Sequence, residues 1–191
     1  ERLAQSDPQV QVETHWHSVQ LIPQVPPEGL PFAAFYERRL GSAEAVRARQ
    51  AQVMAAARDA DADIDFGRIA VFPNTAAAHA LLARARPQLA PTAFEALLNR
   101  LFEGYFARGE NLGDAATLAA IGAAHGVVLN DVALAPAEPG PQAVSGVPLF
   151  VFNDEVALSG AQPAQLLWSA MRRALPSTAS EPTGLPADAI R

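Results

Sequence analysis

The stretch Gly146-Val147-Pro148-Leu149-Phe150-Val151-Phe152 is the most informative part of this sequence, because it joins a turn to an uncharged strand. Proline cannot donate a ladder hydrogen bond, so it belongs at the first position of a strand, where Pro148 lies. A turn at Asp154-Glu155 leads to a second apolar run, and Ser159-Gly160-Ala161-Gln162 leads into an amphipathic segment. We therefore predict strands over 149–153 and 156–159, followed by a helix over 163–175.

Upstream of this hairpin the sequence is mainly helical. Apolar residues recur at helical spacing, and Ser, Asn, Thr and Asp stand where helices need N-terminal caps. The predicted helices are 32–60, with a break at Gly41-Ser42 and Ser42 as the next cap; 76–86, capped by Asn74 or Thr75; 93–107; and 115–125, capped by Asp114 and ended by Gly126. Residues 20–31 and 134–145 are rich in proline and glycine, which predicts loops.

One strand is predicted before the helices. Val10 to Trp16 alternates apolar and polar residues, the two-residue period of a strand. The order of strand, helices, hairpin and helix indicates an α/β fold with a helical insertion. The predicted domains are 1–31, whose first five residues end a helix, 32–130 for the inserted helices, 131–175 for the rest of the sheet domain, and 176–191 for a loose tail.

Composition excludes several classes of function. The net charge is −6 and the isoelectric point is about 5.1, which disfavours nucleic acid as a partner. No apolar run approaches the length of a membrane span. We expect no secretory leader, because no charged start precedes an apolar stretch in these residues. All basic residues are arginine, as in proteins from GC-rich bacteria, so we predict a bacterial protein. We also expect a cytoplasmic location. The absence of cysteine excludes disulfides and thiol nucleophiles within these 191 residues.

Four blocks of sequence, in this order, resemble the FrnE-like branch of the DsbA family of thioredoxin-fold proteins. They resemble the family's second strand and proline turn, the start of its inserted helical domain, a later helix and turn, and its final strand pair. The blocks are His15-Trp16-His17-Ser18-Val19-Gln20-Leu21-Ile22-Pro23; Phe72-Pro73-Asn74-Thr75-Ala76-Ala77-Ala78-His79; Phe102-Glu103-Gly104-Tyr105-Phe106 with Asn111-Leu112-Gly113-Asp114; and residues 146–163.

This resemblance implies a thioredoxin-like α/β fold with an inserted all-helical domain. It implies a thiol–disulfide oxidoreductase or isomerase acting on protein or peptide substrates, without a bound cofactor. It further implies that Pro148 is cis and that the backbone of Val147 pairs with an extended substrate. Asn74 and His79 are the corresponding candidates for substrate binding on the helical insertion.

The sequence departs from the family at the reactive site. Members carry a first strand and then Cys-x-x-Cys at the start of a helix, and neither is present here. In this family the first strand lies between the strands that correspond to 10–16 and 149–153. Either another chain supplies that strand or, as we expect, it precedes Glu1 together with Cys-x-x-Cys. Without it, buried backbone groups would lose partners at about 1–3 kcal/mol each. The family's longer helical stretch before Gly-Val-Pro is also missing here, and a proline-rich segment lies between Gly126 and Gly146. Either residues are absent from this sequence or the protein has lost a helix.

Two alternatives keep the fold and change the function. The first alternative is a redox-inactive protein that binds a peptide or a partner. The sequence is also compatible with a homodimer. Alternatively, it is similar to kappa-class glutathione transferases and 2-hydroxychromene-2-carboxylate isomerases, which use serine in place of the first cysteine and bind glutathione. A cysteine-free chain suits that alternative, but the Asn-Thr…Ala-His block (74–79) and the Ser-Gly-Ala-Gln block (159–162) resemble the FrnE-like branch more.

Metal sites are disfavoured by the spacing of their candidate ligands. His15 and His17 share a strand face but lack an evident third ligand. The acidic run Asp59, Asp61, Asp63 and Asp65 resembles a calcium loop without its glycine at position six or its glutamate at position twelve. We therefore predict no metal site and no catalytic residue within this chain.

Overall fold

A computed structural model describes residues 10–128 and 146–175, so the predictions for residues 1–5, for the 134–145 loop and for the tail lie outside it. The chain divides into two units. Unit 1 comprises Glu1–Val19 and Pro141–Arg191, and unit 2 is the continuous stretch Gln20–Gly140. The described residues form a mixed α/β structure with six helices and two small antiparallel sheets.

Unit 2 is mainly helical. Its two short strands pair antiparallel, with Leu30 opposite Phe72. The prediction of one helical region broken at Gly41-Ser42 is confirmed, as are the three helices that follow, with ends shifted by one or two residues. In chain order the elements are β1 (Leu30–Pro31), α1 (Phe32–Leu40), α2 (Ala43–Asp59), β2 (Val71–Phe72), α3 (Ala76–Ala85), α4 (Pro91–Phe106) and α5 (Ala115–Ala124).

Local signals in the sequence explain where these helices begin and end. The Ser42 hydroxyl accepts from the Ala45 amide at 3.2 Å, so Ser42 caps α2 as predicted. The carboxylate of Asp114 accepts from the Thr117 amide at 2.7 Å and caps α5 in the same way. Gly126, just past α5, has a φ of 75°, a conformation that glycine adopts without a steric penalty.

The core of unit 2 lies among α3, α4 and α5. Leu81, Leu97 and Leu118, one from each helix, are fully buried. They join a cluster that also contains Ala78, Ala85, Phe94, Leu101, Leu112, Ile121 and Val127. Burial of this apolar surface is the main stabilising contribution to the unit.

The described part of unit 1 contains the predicted hairpin and helix. Strand β3 (Leu149–Phe152) pairs antiparallel with β4 (Val156–Ser159), and α6 (Ala164–Arg173) follows and packs against β4. In the turn, Asn153 and Asp154 have φ values of 49° and 57°, which asparagine and aspartate tolerate better than most residues. The hairpin and the final helix are therefore confirmed.

The predicted strand from Val10 to Trp16 is wrong for this structure. These residues form no strand, and the side chains of Val12 and Trp16 are about half exposed, at 50% and 45%. A strand exists only where another strand accepts its ladder hydrogen bonds, and no described residue does so here. The alternating pattern is real, but the pattern alone does not supply a partner.

Candidate functional site

The most distinctive surface in unit 1 is the free edge of β3. The Gly160 amide donates to the carbonyl of Pro148 at 2.8 Å, which identifies positions 148 and 160 as a hydrogen-bonded pair. Bonded and non-bonded pairs alternate along an antiparallel ladder, so Phe150 and Phe152 also direct their peptide groups toward β4. The N–H and C=O groups of Leu149 and Val151 therefore point to the opposite edge, where no described residue pairs with them.

The same alternation places apolar side chains beside those free peptide groups. Val147, Leu149 and Val151 are 52%, 41% and 53% exposed, whereas Phe150 and Phe152 are partly buried. Residues 146–152 carry no charge, and the nearest acidic side chains along the chain are in the turn after β3. We call Val147, Leu149 and Val151 the free-edge residues. Together they offer backbone hydrogen bonds and an apolar surface, the combination that binds an extended polypeptide.

The rest of the hairpin and α6 hold this edge in place. The Val147–Pro148 peptide bond is cis, as the resemblance implied. The Asn153 side-chain amide donates to the Ala174 carbonyl at 2.9 Å and so ties the hairpin turn to the end of α6. The Phe150 and Phe152 rings stack with centroids 6.4 Å apart. The free-edge residues are thus carried on a short element that is anchored at its turn.

Asn74 makes three hydrogen bonds within unit 2. Its Nδ2 donates to the Val25 carbonyl at 2.6 Å, and its Oδ1 accepts from Gln20 Nε2 at 3.0 Å and from the Ala76 amide at 2.9 Å. An amide side chain offers two donor hydrogens and two acceptor lone pairs, so only one donor position is left. These contacts identify Asn74 as a link between the loop over 20–25 and the start of α3.

His79 lies in the first turn of α3 and is partly buried. Burial lowers the pKa of its imidazole, because a charged ring is less well solvated there. The ring is therefore neutral at pH 7 and is able to donate one hydrogen bond and to accept another. His79 and Asn74 belong to unit 2, whereas Val147 and Pro148 belong to unit 1.

Unit 2 has a concave surface between α4 and α5. It is an open cleft of about 310 Å³, with Arg100 and Glu110 on one side and Thr117, Ala120, Ile121 and Ala124 on the other. Two hydrogen bonds join Arg100 to Glu110, so the two charged groups satisfy each other rather than facing the cleft unpaired. The sequence did not predict this ion pair, because nothing local signals a contact between residues ten apart that spans a helix end.

The candidate metal ligands do not assemble. Among the described residues, no group of three or more histidine, aspartate or glutamate side chains is placed to hold a metal ion. His15 instead lies 3.1 Å from the carboxylate of Glu13. Within the same part of the chain, none of the helices combines the length and apolar character needed to cross a membrane.

Sequence reasoning named Val147 and Pro148 as candidates but did not name Leu149 and Val151, which lie on the same strand edge. The available signal was the strict two-residue alternation in an uncharged strand, which places 147, 149 and 151 on one face. No family model matches this chain, and no curated protein matches its sequence.

Proposed function

We propose that this chain is the substrate-presenting part of a thiol–disulfide oxidoreductase of the DsbA family, in its FrnE-like branch, with a thioredoxin-like fold. The observation that carries the proposal is the free edge of β3, where unpaired peptide groups coincide with the exposed side chains of Val147, Leu149 and Val151. Extended polypeptides bind to such edges by adding a strand.

The free edge serves two purposes in this proposal. At Leu149 and Val151, the free peptide groups accept the family's first strand, which carries Cys-x-x-Cys at its end. Val147 lies before that stretch of ladder, and its backbone pairs with the substrate next to the reactive sulfur. Asn74 and His79 stay candidates for the surface that the helical insertion contributes.

The chemistry requires cysteines from outside residues 1–191, since the sequence contains none. A thiolate attacks one sulfur of the substrate disulfide, forming a mixed disulfide and releasing the other substrate sulfur as a thiolate. The second cysteine of the pair then attacks the mixed disulfide and frees the substrate. The enzyme leaves this cycle with its own disulfide, and the substrate is reduced by two electrons.

The test uses the full-length gene product. We expect its intact mass to exceed that of the 191 residues, two thiols to react with a titrating reagent after reduction, and the protein to reduce insulin. Val147→Ala keeps the backbone and should retain most activity, whereas Val147→Pro removes the amide donor and should lower the rate by about tenfold or more. A full-length product with no reactive thiol would overturn the proposal.

A second candidate, a redox-inactive binding protein, is favoured by the cysteine-free sequence. It predicts the same dependence on the free edge for peptide binding, but no insulin reduction by the full-length product. Binding of glutathione, measured by calorimetry on the same sample, would instead favour the glutathione-dependent alternative.

A further inference from the structure

We propose that Asn74 is a positioning residue that fixes the point at which the chain enters unit 2. This inference does not depend on the proposed redox function. The chain passes from unit 1 to unit 2 between Val19 and Gln20. Asn74 lies 54 and 49 residues away from the two positions that it holds, Gln20 and Val25.

The amide of Asn74 holds both ends of the segment 20–25. Its Oδ1 binds the side chain of Gln20 at one end, and its Nδ2 binds the backbone carbonyl of Val25 at the other. The same Oδ1 accepts from the Ala76 amide, which attaches the segment to the start of α3. One side chain therefore joins the first residues of unit 2 to a helix of its core.

Few other restraints act on this segment. Its described backbone hydrogen bond, from the Val25 amide to the Ile22 carbonyl, is long at 3.3 Å. Leu21 is largely exposed, and only Val25 is buried. Burial of Val25 fixes one end of the segment, but the Gln20 end, where the crossing occurs, is held by Asn74.

A capping role alone does not explain an asparagine at this position. Aspartate caps helix N-termini as well as asparagine does and interacts more favourably with the helix dipole. However, a carboxylate has no donor for the Val25 carbonyl and would place negative charge against it. The contact with Val25 is therefore specific to the amide, and it separates the positioning role from simple capping.

Loss of this contact would free the Gln20 end of the segment. With Asn74 in place, unit 2 holds the chain from Gln20 onward. Without it, the next restraint within unit 2 is the burial of Val25, five residues later, a span of up to about 17 Å of extended chain. Asn74 thus sets the position at which unit 2 first holds the chain.

Hydrogen exchange on the whole 191-residue chain tests this role. We expect Asn74→Ala and Asn74→Asp each to raise exchange about five- to tenfold at the Val25 amide, the amide of this segment that has a described backbone hydrogen bond, while α3 stays protected in the aspartate variant. Gln20→Ala removes one of the two contacts and should raise exchange in the same segment by a smaller factor. That variant keeps the test valid if Asn74→Ala folds poorly.

Gln88 provides a matched control at the other end of α3. Gln88 lies in the turn just after that helix, and its Oε1 accepts from the Val128 amide at 2.9 Å, so Gln88→Ala removes a side-chain amide of the same kind near the opposite helix end. We expect that variant to leave residues 20–25 at the wild-type rate. If Asn74→Asp exchanges at the wild-type rate, Asn74 acts only at the start of the helix. If exchange rises uniformly across unit 2, Asn74 contributes only to the overall stability of the unit. Either result overturns the proposal.

Discussion

The guanidinium of Arg100 donates two hydrogen bonds to the carboxylate of Glu110, at 2.7 and 2.8 Å, directly over Gly104. A side chain at position 104 would occupy the space of this ion pair. Its Cβ would lie 2.6 Å from Arg100 Nη1 and still closer to the Glu110 carboxylate. The glycine and the ion pair are therefore one structural feature.

The first prediction concerns this close approach. We expect Gly104→Ala to displace the ion pair and to lower the free energy of unfolding by up to about 2 kcal/mol, because the displacement outweighs the roughly 1 kcal/mol that alanine gains over glycine within a helix. Gly67→Ala is the control in the same unit, since the nearest atom to its added Cβ is an Asp65 oxygen at 3.1 Å. Urea unfolding of both variants measures the difference, and equal losses would contradict the explanation.

The second prediction is a dependence of stability on pH. Hydrogen bonds from Arg100 hold the pKa of Glu110 below its ordinary value. The unfolded chain therefore binds this proton at a higher pH than the folded chain does. The stabilisation is complete above the unfolded pKa, about 4.3, and is lost as the pH falls through the lower folded pKa.

We accordingly expect wild-type stability to fall more steeply than that of Glu110→Gln as the pH decreases below about 4.3. Denaturant unfolding at closely spaced pH values from neutral to strongly acidic provides the comparison. Parallel profiles for the two proteins would show that this ion pair does not contribute.

The third prediction follows from a buried hydroxyl. The Tyr105 oxygen is sealed from solvent and has no hydrogen-bond partner among the described residues. Burial of an unpaired hydroxyl is unfavourable, so Tyr105→Phe should leave stability unchanged or raise it by about 1 kcal/mol. Tyr105→Leu should destabilise, because it loses the ring contact with Phe106 at 4.9 Å. A clear loss of stability in Tyr105→Phe, measured by thermal unfolding, would reveal a bonded hydroxyl.

The fourth prediction separates two neighbouring turn residues. Both Asn153 and Asp154 are left-handed, a conformation that glycine adopts at lower energetic cost. Asp154→Gly should therefore stabilise the hairpin by about 0.5–1 kcal/mol. Asn153→Gly gains the same backbone freedom but loses the hydrogen bond to Ala174, so we expect no net gain. Chemical denaturation ranks the two variants, and the reverse order would exclude this account.

Sequence patterns predicted the elements whose causes are local. Ser42 and Asp114 cap helices through groups three residues away, and the β3–β4 hairpin depends on an alternation and a turn within eleven residues. Such signals involve few residues and act before any tertiary contact forms. They can therefore be recognised in a single sequence.

Contacts between distant residues were not predictable in the same way. Val10 to Trp16 has the alternation of a strand, yet strand formation requires a partner that the pattern cannot specify. Asparagine is a residue type that often caps helices, so the sequence suggested that role for Asn74. Its contact with Val25 depends on the packing of the loop against α3, which only the structure shows. The candidate site also combines the two kinds of evidence. A sequence motif predicted Val147, whereas the free edge beside it was recognised only from the hydrogen-bonding pattern of the β3–β4 ladder.

The continuity of unit 2 has a consequence for the order of folding during synthesis. Unit 2 is one uninterrupted stretch, and its core cluster runs from Ala78 to Val127. All of these side chains leave the ribosome before Pro141, where the second part of unit 1 begins. Domains generally fold as units during translation. The helical unit can therefore complete its core while the β3–β4 hairpin is still being made, which leaves unit 1 to assemble last.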